Sequence, residues 1–71
     1  MKLDAYEFAT QRIDVEFDIP QYDVSTLIRS IVANRGWLPP DGRNRYRYMP
    51  DAVVQRIEVI VCEVFRIETS G

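Results

Sequence analysis

Histidine is absent from this 71-residue chain, cysteine and lysine occur once each, and glycine three times. Without histidine, zinc sites of the Cys/His type and mechanisms built on a Cys-His or Ser-His pair are excluded. The single cysteine, Cys62, has no partner for an internal disulfide and reads as a small buried hydrophobe. Gly36 and Gly42 are isolated, so no glycine-rich loop can cradle a phosphate. The longest apolar run, Val59 to Cys62, falls far short of the roughly 20 residues a membrane span needs. The opening Met1-Lys2-Leu3-Asp4 carries no signal-peptide core. These absences predict a soluble cytoplasmic protein that uses no metal and no cofactor. The length predicts one domain over 1–71, with little room for a deep active-site cleft.

What is present is unevenly charged. Residues 1–23 carry Lys2 and Arg12 against Asp4, Glu7, Asp14, Glu16, Asp18 and Asp23, a net of minus four. Residues 24–50 carry Arg29, Arg35, Arg43, Arg45 and Arg47 against Asp41, a net of plus four. The remainder, with Arg56 and Arg66 against Asp51, Glu58, Glu63 and Glu68, returns to minus two. A basic middle between acidic flanks fits a partner of mixed surface potential better than naked duplex nucleic acid.

Ile13-Asp14-Val15-Glu16-Phe17-Asp18-Ile19 alternates apolar and acidic residues, the pattern of a half-buried strand, and Pro20 ends it. Residues 24–35 read as a helix capped by Asp23 or Ser25, with Val24, Leu27, Ile28, Ile31 and Val32 on one face and Gly36 as its left-handed stop. The turn-rich stretch 37–42 leads to a second strand over 43–49. Residues 52–67 place Val53, Val54, Ile57, Val61, Val64 and Phe65 at helical spacing behind Asp51. A strand over the β-branched stretch 58–65 is the rival, disfavoured by length and by the polar spacing. The predicted fold is therefore α+β: a two-stranded sheet, 13–19 and 43–49, on two helices, 24–35 and 52–67. The folded core then covers 13–67, between a flexible arm over 1–12 and a tail over 68–71. Neighbouring strands would set Asp14, Glu16 and Asp18 opposite Arg43, Arg45 and Arg47.

Two groups of residues stand out as candidates for binding. In an extended Arg43-Asn44-Arg45-Tyr46-Arg47-Tyr48, the three arginines line one face, and Tyr46 and Tyr48 line the other. Exposed arginines pair with phosphate or carboxylate oxygens and stack on flat groups, which makes the stripe a docking surface. The competing explanation is an edge strand whose charges prevent sheet extension. Leu3, Tyr6 and Phe8 are large apolar groups in a terminal arm, where they either fold back or anchor a partner. Trp37, between the helix stop and two prolines, caps the core or serves as an interface anchor.

No enzyme signature is visible, because Glu58 and Glu63 sit at the spacing of solvated helix surface and no base-nucleophile set accompanies them. Helix-turn-helix readout of DNA also fails. The helix at 24–35 is followed by a long proline-rich turn and a predicted strand, in place of a second helix after a tight turn. Contact with RNA or a single strand through Tyr46, Tyr48 and the arginines needs only a short basic platform.

From Met1-Lys2-Leu3-Asp4-Ala5-Tyr6 through Trp37-Leu38-Pro39-Pro40 to Arg43-Asn44-Arg45-Tyr46-Arg47-Tyr48, the chain resembles the small transcription regulators of lytic Xanthomonas bacteriophages. That resemblance rests on size, charge layout and overall wording, and it covers most of the chain. It implies a non-enzymatic phage protein that docks on the amino-terminal part of the host RNA polymerase beta-prime subunit, near the RNA exit. It further implies inhibition of initiation, and antitermination together with NusA beside the nascent RNA. Leu3, Tyr6 and Phe8 would be the polymerase anchor, and Arg43, Arg45 and Arg47 would face RNA or acidic polymerase residues. The alternatives are a stand-alone RNA- or single-strand-binding module and a phage inhibitor of another host enzyme, such as a nuclease. The latter would use Asp14, Glu16 and Asp18 as a phosphate-like decoy.

Overall fold

The computed structural model describes residues 4–36, 38 and 44–68. Three helices, α1 (Ala5–Glu16), α2 (Gln21–Ala33) and α3 (Asp51–Phe65), are joined by a short linker and a long connection containing a 3-10 turn, Asn44–Tyr46. No strand occurs among the described residues, so the expected two-stranded α+β arrangement gives way to a helical bundle. Leu3, Trp37 and Arg43 lie outside the described residues.

Helix α1 replaces both the expected arm and most of the first strand. Its start is fixed by Asp4, whose Oδ1 accepts the Glu7 backbone N–H at 2.8 Å. This bond satisfies one of the amide donors that every helix start leaves without an internal partner. Ala9 and Ile13, four residues apart, are its fully buried positions, while Val15 is 87 % exposed. The alternation over 13–19 is thus split between a helix end and the extended linker 17–20. Phe17 packs on the core one helical turn after Ile13.

Helices α2 and α3 both begin behind a proline. The Pro20 carbonyl accepts the N–H groups of Asp23 and Val24, and the Pro50 carbonyl those of Val53 and Val54. Neither helix start has a side-chain cap, in contrast to the expected roles of Asp23, Ser25 and Asp51. Both helices also end alike. Gly36 donates to the Ile31 carbonyl and Ile67 to the Cys62 carbonyl, each bond spanning five residues. Among the described residues, Arg35 (φ 60) and Arg66 (φ 56) lie in the left-handed region, with Gly36 following Arg35 at φ 108. The α2 stop is therefore shared by an arginine and the glycine expected to supply it.

Helix α2 buries Val24, Leu27, Ile28 and Ile31; α3 buries Val54, Ile57, Ile60 and Val61. In both sets members recur three and four residues apart, the spacing that gathers side chains on one helical face. Leu38, Tyr46 and Met49 from the connection complete the core. Tyr46 and Met49 are three residues apart, the repeat of a 3-10 turn, and Met49 N–H donates to the Tyr46 carbonyl at 2.8 Å. A strand over 43–49 would instead have paired Tyr46 with Tyr48 on its inner face.

Contacts fix the direction of each helix. Arg12 meets Glu63 at 2.9 Å and Arg56 meets Glu16 at 2.8 Å, so α1 runs against α3. The Cys62 thiol lies 3.6 Å from the Gly36 carbonyl, Leu38 N–H donates to Glu58 at 2.8 Å, and Tyr48 bonds Asp23. The connection therefore descends beside α3 and returns to the start of α2. Helices α2 and α3 run parallel, both opening at the end where α1 closes. Among the described residues, the expected match of acids and arginines has no strands to form across. Glu16 is held by Arg56 of α3, and no bond joins Arg45 or Arg47 to the acids of α1 among the described residues.

Candidate docking surface

The end of the bundle where α2 and α3 begin carries a groove of about 290 Å³. The linker supplies Phe17, Asp18, Ile19 and Pro20; the connection supplies Tyr48, Met49 and Pro50; α3 supplies Val53. Two proline-started helices place these apolar groups side by side, because each proline prevents the preceding residue from joining the helix. Tyr48 is 57 % exposed and donates its hydroxyl to the Asp23 carboxylate. Desolvation of the phenol, and then this carboxylate, push the hydroxyl above the usual tyrosine range. With more than half of the side chain in water, the carboxylate contact is the firmer of the two causes. Tyr22, on the first turn of α2 beside Asp23, is 74 % exposed.

The residues singled out from sequence do not form one surface. Arg45, Arg47 and Tyr48 are exposed on the segment that reaches the groove, but Tyr46 is buried, at 4 % exposure. Its hydroxyl finds no hydrogen-bond partner among the described residues. Tyr6 and Phe8 sit at the opposite end, at the start of α1. Tyr6 lies edge-on to Phe65 with ring centroids 4.9 Å apart, and Phe8 remains 48 % exposed. Sequence reasoning passed over Phe17, Ile19, Tyr22 and Val53 as surface-forming residues. Tyr22 was within reach: it stands two positions before Val24, off the apolar stripe of α2, once Pro20 is taken as the helix start.

A second, more open groove of about 560 Å³ runs along α3 between Gln55 and Ile67, with Glu58, Cys62 and Gly36 in its wall. Glu58, expected on the surface, is buried and anchors the connection through Leu38. Burial, and then the Glu58 carboxylate, raise the Cys62 thiol above its ordinary range, which keeps it protonated and poorly nucleophilic. Cys62 itself is only partly buried. Among the described residues, no group of three or more His, Cys, Asp or Glu is placed to hold a metal ion, and no helix is long and apolar enough to cross a membrane.

No family model, curated protein or solved structure matches this chain.

Proposed function

We propose that this chain is a non-enzymatic regulator that acts by docking on a bacterial RNA polymerase in the host cytoplasm. The observation that carries the docking reading is the exposure of Tyr22 and Tyr48 beside an apolar groove, in a bundle whose core is already filled by other side chains. Aromatic groups left in water next to a groove match the anchors that dominate protein interfaces. The resemblance to phage transcription regulators supplies the partner, the beta-prime subunit, and the outcome: fewer initiations and readthrough of terminators with NusA.

The test is retention of polymerase subunits from a nuclease-treated bacterial lysate at moderate salt, followed by transcription on a template with one promoter and one terminator. Tyr22→Ala combined with Tyr48→Ala is expected to lower retention at least tenfold, the effect of losing two interface aromatics. Absence of polymerase from the wild-type eluate would sink the reading.

Arg45 and Arg47, exposed beside Tyr48, favour a second reading in which this end contacts single-stranded RNA. It predicts binding to bare RNA that falls steeply with salt and disappears in Arg45→Ala with Arg47→Ala.

A further inference from the structure

We propose that the groove between the linker and the start of α3 receives an arginine side chain presented by the partner protein. The proposal rests on the docking reading for the kind of partner, and on the groove's own chemistry for the side chain. Two aromatic residues, Phe17 and Tyr48, line the groove together with aliphatic Ile19 and Val53 and one carboxylate, Asp18. An apolar wall with two aromatic side chains and a single acidic residue is the complement of a guanidinium on a three-carbon stem. The stem packs on the aliphatic groups, the planar head stacks on a ring, and its N–H fork meets the carboxylate.

Asp18 is available for that role. Its neighbours at this end of the molecule are engaged: Glu16 with Arg56 in a two-bond pair, and Asp23 with the Tyr48 hydroxyl. Asp18 is exposed, and no cation among the described residues pairs with it. The Asp23 bond also holds the Tyr48 ring at the groove before any partner arrives, which lowers the ordering cost of binding. A volume of about 290 Å³ admits one long side chain with little of its backbone, so the groove reads a residue and not an extended segment. A lysine would keep the charge but lose the stacking plane and the fork, so arginine is the better occupant.

The experiment is an NMR titration of the full, 15N-labelled chain with the acetylated and amidated tripeptide Leu-Arg-Leu, alongside the same tripeptide carrying uncharged citrulline. The expected result is saturable shifts of the Asp18, Ile19, Met49 and Val53 amides with the arginine peptide, and at least about fivefold weaker binding of the citrulline peptide. Asp18→Asn is expected to remove that preference while leaving the rest of the spectrum in place, since the side chain holds nothing in the fold. Equal binding of both peptides, a preference that survives Asp18→Asn, or no saturable shift would each overturn the pocket. Polymerase retention is scored separately. A wild-type chain that keeps polymerase but ignores the arginine peptide overturns the pocket and leaves the docking reading standing. A chain that binds the peptide but no polymerase supports the pocket and removes the docking partner.

Discussion

Among the described residues, Glu58 is the one charged side chain inside the molecule, and what it holds is a backbone amide of the long connection. Replacing a buried acceptor leaves its donor without water or partner, which costs about 1–3 kcal/mol. Glu58→Ala is expected to lose stability in that range by urea denaturation, and Glu58→Gln, which keeps an acceptor oxygen, to lose less. A substitution to alanine with no effect would show that water replaces the carboxylate at Leu38. The placement of Glu58 was not legible in the sequence. It lies next to Ile57 at the border of the apolar stripe of α3, where the charge alone argues for solvent. What covers it is a segment 20 residues away in the chain, and no local pattern reports that.

At the scale of the element, the ends of the helices decide more than their middles. Arg35 and Arg66 occupy the left-handed region, where a β-carbon is crowded at a cost of about 1–2 kcal/mol. Glycine removes that crowding but adds freedom to the unfolded chain, so Arg66→Gly is expected to stabilise by roughly 0.5 kcal/mol, read as a higher urea midpoint. A lower midpoint would mean that the arginine side chain contributes more than its backbone costs. The pair between α1 and α3 makes a second test. The hydrogen bond from Arg56 holds the Glu16 carboxyl below its ordinary value of 4.5. A carboxyl with a depressed pKa in the folded state stabilises fully above its unfolded pKa, and that contribution is lost as pH falls through the folded value. The urea midpoint is therefore expected to fall on acidification below about pH 4.5. Glu16→Gln should show a shallower fall, and salt should shrink the difference because both partners are partly in water. An identical acid profile in wild type and variant would rule out this pair as a source of the acid dependence.

The same scale explains why the first expected strand was misread; the second, over 43–49, gave way to a 3-10 turn that buries Tyr46 and Met49. Ile13 and Phe17 are four apart, so they satisfy a strand's period of two and a helix's turn equally well. Val15 is the residue that separates the two, and its exposure shows the helix. A signal for that helix did exist upstream. Asp4 followed by Glu7 and then by Ala9 and Ile13 is a capped start leading into an i, i+4 pair. Residues 51–65 were legible because their apolar stripe runs long enough for the helical period to exceed any strand.

For the whole molecule, every helix contributes to one core, and the connection adds Leu38, Tyr46 and Met49 to it. Among the described residues no part has an apolar interior of its own, so heat or urea is expected to remove all helices in one transition. Far-UV circular dichroism and the near-UV signal of the tyrosines, among them buried Tyr46, should then trace coincident curves. Non-coincident curves would show that some part holds together alone. The candidate surface was only half legible at this level. The arginines and Tyr48 were visible as a charged aromatic segment, whereas the groove needs the two proline-started helices side by side. That depends on the parallel course of α2 and α3, which the sequence does not spell out.

The antiparallel course of α1 and α3, with Tyr6 edge-on to Phe65, has a practical corollary. The first and last helical turns of the chain are neighbours, at the end farthest from Tyr22 and Tyr48. A fluorophore or biosensor tether attached at exposed Asp4 or Phe8 therefore leaves the opposite pole clear, oriented toward whatever flows past it.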